Sequence, residues 1–493
     1  MSEEHKSSRP KLSIFRNWFS LAGLVVVGGS FFAFLFLFTM DLFRPTGNPY
    51  MGILAYLVAP TFTVIGVFLI LLGLVLEQRQ LAKHKPGWAI PRLMVDLSHP
   101  RDRRNLAFFI GASGFFLLIT AVGSYQSYHF TESTTFCGQS CHTVMQPEFT
   151  TYLHSPHARV ACSECHIGPG ASWYVKSKIS GTYQVYATIF HKFPRPIQTP
   201  IKNLRPAQET CEQCHWPKKF VGNLDRTYSH FLSDKTNTPY SVRLLLKVGG
   251  GDPTHGPVGG IHWHMNIANK VEYIAADERR QVIPWVRMTK SNGEQVVYST
   301  GSFKYDPKKH AIRTMDCMDC HNRPTHHFQS PNEAIDQALA VARLDPSMPF
   351  IKKEAVDVLT KPYVSEADAR QTIAATLKSR YPGQQGLDAV VEEIQRIYVQ
   401  NFFPEMKSSW KVYPNNIGHK DWLGCFRCHD GEHQTADSKR MIKASDCNTC
   451  HIILAQGNGK ELENLSAQGH PFHHPGGEIG DMKCNDCHTG ANQ

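Results

Sequence analysis

All 14 cysteines of this chain stand in pairs, and each pair is followed at once by a histidine. The groups are Cys137/Cys141/His142, Cys162/Cys165/His166, Cys211/Cys214/His215, Cys317/Cys320/His321, Cys425/Cys428/His429, Cys447/Cys450/His451 and Cys484/Cys487/His488. Six keep two residues between the cysteines. The first, FCGQSCH, keeps three. Two thiols on one short turn can bond to the two vinyl groups on one edge of a porphyrin, and the adjacent His then binds the iron from the proximal side. Zinc knuckles, redox dithiols and disulfides also use close cysteine pairs, but none demands a His directly after the second Cys. The spacing therefore predicts seven covalently bound c-type haems. The extra residue in the first turn lengthens it and still lets both sulfurs reach the ring.

The second axial ligand must come from elsewhere in the chain. A second histidine saturates the iron and suits electron transfer over substrate binding. Of the 26 histidines, three fall in the expected cytoplasmic segments and seven follow the cysteine pairs, so sixteen remain for at most seven positions. The favoured ones are His157, His262 or His264 in GIHWHM, His326 in RPTHH, His419 in NIGHKDW, His433 in CHDGEH, and one of His473 and His474. Met145 lies three residues after His142. Its thioether is either an axial ligand, which would raise the potential of the first haem, or a packing side chain.

Haem is attached to such motifs outside the bacterial cytoplasm, so the chain must cross a membrane. Three uncharged apolar runs precede the first motif, Trp18 to Met40, Tyr50 to Leu76 and Leu106 to about Tyr125. Each is long enough to span about 30 Å of hydrocarbon as a helix. The first lacks a clear cleavage site and is read as a retained anchor. Basic residues crowd the N-terminus and the loop 77–104, while the loop between the first two runs has only Arg44. The positive-inside rule places the N-terminus and that loop in the cytoplasm and everything beyond about residue 126 in the periplasm. None of the three runs holds a His, so the membrane part is not a cytochrome b.

The formal net charge of +10 is largely this topology signal, and haem propionates would offset the rest. It is no argument for nucleic acid. No nucleotide-binding loop or catalytic triad appears.

These elements predict a membrane-anchored multihaem cytochrome c, with three N-terminal transmembrane helices followed by a mainly α or irregular haem-packed periplasmic domain with a small β insertion. The expected divisions are a cytoplasmic N-terminus (1–17), a membrane anchor (18–125), a domain with the first three motifs (126–220), a β-rich insertion (221–316), the fourth motif with a helical insertion (317–424) and a C-terminal domain with the last three motifs (425–493). Alternating runs such as YSVRLLLKV and EQVVYST predict the strands. Ser330 and Ser365 are expected helix N-caps, and Leu387, Val390, Val391 and Ile394 one helical face. Both insertions are expected to wrap the haems.

The stretch CHTVMQPEFTTYLHSPHARVACSECHIGPGASWYVKSK, with the membrane run before it and CEQCH after it, resembles the NapC/NirT family of membrane-anchored quinol-oxidising cytochromes over roughly residues 106–220. The whole pattern, with GIHWH, looks like the larger seven-haem ImcH-type inner-membrane cytochromes. The resemblance implies quinol:cytochrome c oxidoreductase-type electron transfer. Menaquinol or ubiquinol would be oxidised at the first haem, and electrons would pass to periplasmic c-type cytochromes in anaerobic or extracellular respiration. It also implies a Met ligand at Met145 and a quinol-lining Lys at Lys178. The family Met follows the His by two residues, and here by three. The family's acidic position holds Gln184, which cannot take a proton. Lys178, Glu148 and His129 are then the nearest groups for proton handling. The implied partners are the quinone pool, the lipid bilayer and soluble cytochromes, with homo- or hetero-oligomers left open. The rival readings are a wiring subunit of a larger respiratory complex and a terminal reductase of a small nitrogen or sulfur compound.

Overall fold

The structure is a computed structural model that describes residues 18–43, 58–84, 97–140, 142–168, 171–201, 204–250, 259–265, 269–301, 303–443, 447–480 and 482–491. The N-terminal 1–17 segment and part of the 77–104 loop lie outside the described residues. The chain divides into two compact units, Met1–Ser140 and Cys141–Gln493.

Among its described residues the first unit holds three long helices, α1 (Trp18–Phe43), α2 (Ala59–His84) and α3 (Pro100–Thr131). Helices α1 and α2 pack antiparallel along matching stripes. Ser20, Gly23, Val27 and Ser30 meet Gly73, Ile70, Gly66 and Thr63. Small residues let the two backbones approach. A Cβ on Gly23 would sit 2.6 Å from the Gly66 carbonyl oxygen. The hydroxyls of Ser30 and Thr63 share a 2.9 Å hydrogen bond. Close backbone contact with a few hydroxyl bridges is how helices associate where lipid offers no hydrophobic drive.

Trp18–Thr39 and Ala59–Arg79 are long and apolar enough to cross a membrane. The third expected span lies within α3, which is not among the helices that qualify. It opens with Arg101, Asp102, Arg103 and Arg104 and ends with polar residues from Ser124 to His129. Two of the three expected spans are thus found among the described residues, and the third expected run, Leu106 to about Tyr125, is the uncharged middle of α3.

The second unit combines a helical layer, two small sheets and short helical turns. The helical layer comprises α4 (His142–Leu153), α5 (Ala171–Ile189), α6 (Pro331–Ala340), α7 (Ile351–Thr360), α8 (Glu366–Arg380) and α9 (Leu387–Asn401). Ser330 caps α6 by accepting from the Glu333 N–H, with Pro331 in the first turn, and Ser365 caps α8 by accepting from the Asp368 N–H. Glu333 turns its carboxylate to His327. Helices α6 to α9 bury Ile335, Ile351, Leu359, Ile373, Leu377 and Ile394 in a side-chain core of their own. The insertion expected to wrap haem thus also has a side-chain core, which the sequence reading did not foresee. Inside it, Asp336 accepts from Lys352 Nζ at 2.5 Å, His230 Nδ1 at 3.0 Å and the Phe231 N–H at 3.0 Å. A buried carboxylate is tolerable only with such partners, and these tie the helices to the first strand.

Strands β1 (Leu224–Phe231), β2 (Pro239–Leu246), β3 (Lys270–Ile274), β4 (Trp285–Thr289), β5 (Gln295–Ser299), β6 (Arg313–Thr314) and β7 (His451–Gly457) form two antiparallel sheets. One has the order β1-β2-β7, so the insertion reaches across to a strand that starts at a motif histidine. The other has the order β5-β4-β3-β6. Glu272 faces Arg287 in the β3–β4 register, and their side chains bond at 2.8 Å.

Candidate haem centres

Each Cys-x-x-Cys-His motif is built on one tight helical turn. Cys162–His166, Cys317–Cys320 and Cys484–Cys487 are α-helical, and Cys211–Gln213, Gly424–Arg427 and Cys447–Thr449 are 3-10 turns. In four of them the His N–H donates to the carbonyl of the first Cys, at 2.8 Å for His215 and His321, 3.1 Å for His429 and 2.7 Å for His488.

Cys165, Cys320 and Cys487 lie in their α-helical turns, while Cys214, Cys428 and Cys450 directly follow the 3-10 residues of theirs. Backbone bonds close these turns. The Cys214 N–H donates to the Cys211 carbonyl at 3.2 Å, and the Cys428 N–H to the Cys425 carbonyl at 3.3 Å. The Cys450 carbonyl accepts from the Lys247 N–H at 2.8 Å, which ties that motif to the end of β2. Cys214 is exposed and Cys450 half-buried. No disulfide joins the described cysteines.

The first motif differs in the expected place. Phe136–Ser140, with Cys137 inside it, forms a π turn, the form that absorbs one extra residue in a helix. Cys141 and the ring of His142 lie outside the described residues.

The imidazoles that follow the other six turns each face a second imidazole. Ring centroids are 6.3 Å apart for His166 and His326, 6.0 Å for His215 and His157, and 6.3 Å for His321 and His262. They are 5.9 Å apart for His429 and His264, 6.2 Å for His451 and His419, and 5.8 Å for His488 and His474. An ion held between two ring nitrogens at about 2 Å each, plus the depth of each ring, separates the centroids by roughly 6 Å. The residues present therefore fit a haem iron between each pair. Burial holds His166, His321, His326, His419 and His429 below the usual imidazole range, and lowers His488 to about 4 with Lys420 as the next cause. The neutral ring is the ligand form.

Outer contacts fix which nitrogen faces the partner ring. His262 Nδ1 donates to the Val248 carbonyl at 2.7 Å and His264 Nδ1 to the Ile261 carbonyl at 2.8 Å, which leaves each Nε2 for the facing ring. Both sit on the 3-10 turn Ile261–Met265, pinned where Ile261 N–H meets the Lys247 carbonyl. Gly250, at φ +129, must be glycine, because a Cβ there would collide with the His262 backbone. His326 Nδ1 meets the Glu148 carbonyl at 2.9 Å and its carboxylate at 3.2 Å. Nδ1 of His157 and of His451 is buried with no hydrogen-bond partner.

One expected ligand falls away, and the choice between His473 and His474 is decided. His433 is fully buried, with Nδ1 2.9 Å from Asp430 and Nε2 2.7 Å from the Ile283 carbonyl. Both nitrogens are engaged, so none is left for iron. His473 is exposed and faces no motif ring, while its neighbour His474 does. Met145 is half-buried on α4.

The residues singled out for proton handling lie in different settings. His129 is exposed at the end of α3, its ring 4.4 Å from Tyr125. Lys178 is half-buried on α5, and Gln184 is exposed on the same helix, 3.4 Å from Ser180 Oγ. Glu148 is clamped by Arg323 at 2.9 Å and by His326.

The centres also touch one another. Cys165 of the second motif lies within electrostatic reach of Cys211 of the third, and Cys211 is within hydrogen-bond reach of Cys317 of the fourth. Asp319, between Cys317 and Cys320, accepts from Tyr273 at 2.5 Å and from Arg280 at 3.0 Å, while its backbone carbonyl accepts from Arg427 of the next motif at 2.7 Å. Phe426, inside that motif, stacks on His419 at 4.3 Å, and Cys484 Sγ lies 3.9 Å from His419 Nδ1. The second to seventh motifs thus adjoin in sequence order. The sequence reading missed Asp319, Arg427 and Phe426 as couplers. Their one local sign was a position inside a motif.

A family model described as the NapC/NirT cytochrome c family, N-terminal region, matches residues 100–201. The cytochrome c-type protein ImcH of Geobacter sulfurreducens is 41% identical over 483 residues, which cover 95% of this chain and 93% of that protein. No solved structure matches. A family match over the first motifs and near full-length similarity coincide with thiol turns and facing imidazoles built for covalent haem, and the chain belongs to the NapC/NirT family of c-type cytochromes, as an ImcH-like, membrane-anchored electron-transfer member.

Proposed function

We propose that the protein is an inner-membrane quinol dehydrogenase that relays electrons through seven c-type haems to periplasmic cytochromes. The observation that carries this reading is the succession of six facing imidazole pairs, adjoining in sequence order, behind a first motif that follows α3 by only a few residues. The haems would supply one-electron carriers, so that a two-electron, two-proton donor is emptied one electron at a time.

The chain's own residues do the rest. The thiols hold each porphyrin edge, Cys137 with Cys141 at the first site and the regular pairs at the other six. Cys211 with Cys214 and Cys447 with Cys450 are two of these regular pairs. The proximal rings are His142, His166, His215, His321, His429, His451 and His488. The opposite rings are His326, His157, His262, His264, His419 and His474, for the second to the seventh motif in turn. With both axial positions filled, these six sites bind no substrate. The first is different. Its turn carries an extra residue, Met145 is the nearby second donor, and the sequence places it nearest the anchor. Quinol oxidation releases two protons, and Lys178 and His129 are the groups we assign to take them. Glu148, held by Arg323 and His326, serves the second centre instead.

The reading is tested on purified, haem-loaded protein. A water-soluble menaquinol analogue is expected to reduce a large part of what dithionite reduces, and a quinone-site inhibitor to block it. Full reduction by dithionite with none by quinol would overturn the quinol part.

A further inference from the structure

Helix α5 (Ala171–Ile189) carries an apolar face that the protein leaves uncovered. Ile179, Tyr183, Tyr186 and Phe190 recur at helical spacing, and Ile179 and Tyr183 are 68% and 65% exposed. The rings form a ladder, Tyr183 to Tyr186 at 6.3 Å and Tyr186 to Phe190 at 4.9 Å. Ile189 is exposed beside them. Lys192 closes the ladder, with Nζ 3.0 Å from the Tyr186 hydroxyl. An exposed apolar patch of this extent marks a contact surface.

Charge identifies the occupant. Every charged residue between Cys165 and Ala207 is basic, from Lys176 and Lys178 through Lys192 and Arg195 to Arg205. An aromatic and aliphatic face on a segment whose charged residues are all basic fits the boundary between acyl chains and anionic headgroups. Lysines and polar residues within α5 exclude a span. We propose that α5 lies in the plane of an anionic phospholipid surface, with Ile179, Tyr183, Tyr186 and Phe190 among the acyl chains and the basic residues at the phosphates. This rests on the membrane-anchored reading but not on quinol oxidation. It would hold the haem-bearing unit against the bilayer independently of the N-terminal helices.

The test uses the full-length, haem-loaded protein in nanodiscs, with p-benzoylphenylalanine in place of Tyr183 or of its exposed neighbour Gln184. Irradiation in discs containing phosphatidylglycerol is expected to give lipid adducts at 183 and far fewer at 184. Reversing charge with Lys176→Glu and Lys192→Glu together is expected to lower the adduct yield at 183 roughly thirtyfold or more, at about fivefold for each lysine lost near an anionic membrane. Pure phosphatidylcholine discs are expected to lower it in the same sense. Equal yields at the two positions, adducts only to protein, or a yield indifferent to lipid charge would overturn the proposal. Quinol reduction measured in the same discs separates the two readings, since its loss with lipid adducts intact sinks only the quinol assignment.

Discussion

Glu148 shows how one carboxylate can tune a centre it does not enter. Its oxygen lies 3.2 Å from Nδ1 of His326, whose ring faces His166, and Arg323 grips the same carboxylate at 2.9 Å. Negative charge behind a ligating imidazole makes it more basic and favours the oxidised metal. Glu148→Gln is therefore expected to move the second haem to a more positive midpoint. A tenfold shift in its reduced-to-oxidised ratio at fixed potential is about 59 mV for one electron. Arg323 is nearly buried, and leaving it unpaired adds to the same direction. Spectroelectrochemical titration of the variant measures the shift, and an unmoved set of midpoints would refute the coupling. The attachment residues were legible because covalent chemistry demands a local spacing. The choice between α and 3-10 winding was not, since the same spacing serves both alike. Nor was the fate of His433, which is decided by Ile283, far away in sequence, whose carbonyl takes its second nitrogen.

At the scale of elements, periodicity carried further than expected in one insertion and less far in the other. The face of α9 from Leu387 to Ile394 is buried as its spacing implied. Its partners are other helices, and the sequence alone could not separate a self-sufficient core from one that borrows a porphyrin. Ile394 is fully buried in that core. Ile394→Ala is expected to cost about 2–5 kcal/mol. Thermal melting should detect the loss while the haem bands of the folded protein keep their positions. A shifted haem spectrum would mean that the core leans on a haem after all. Strand β7 escaped notice because it begins inside the motif CHIILAQG and pairs with β2, some two hundred residues earlier. Short strands are recognised by their partners, and a distant partner leaves no local trace.

Across the whole molecule, facing histidines come from before, between and after the motifs they serve. His326 lies beyond the fourth motif yet faces His166 of the second, and His157 lies before the second yet faces His215 of the third. Such crossing makes the centres one cooperative structure, in which loss of a facing ring should be felt at its own iron. Histidine on both sides gives a low-spin iron, and an empty side gives a high-spin one. His474→Ala is thus expected to convert one haem, the seventh, from low to high spin by electron paramagnetic resonance, with the covalent haem count unchanged. His433→Ala provides the contrast. It should leave every spin state as it was and lower stability by about 1–3 kcal/mol through the buried acceptors it strands. If His433→Ala produced the high-spin signal and His474→Ala did not, the imidazole pairing drawn from ring geometry would be wrong, and the order of centres built on it would fall with it.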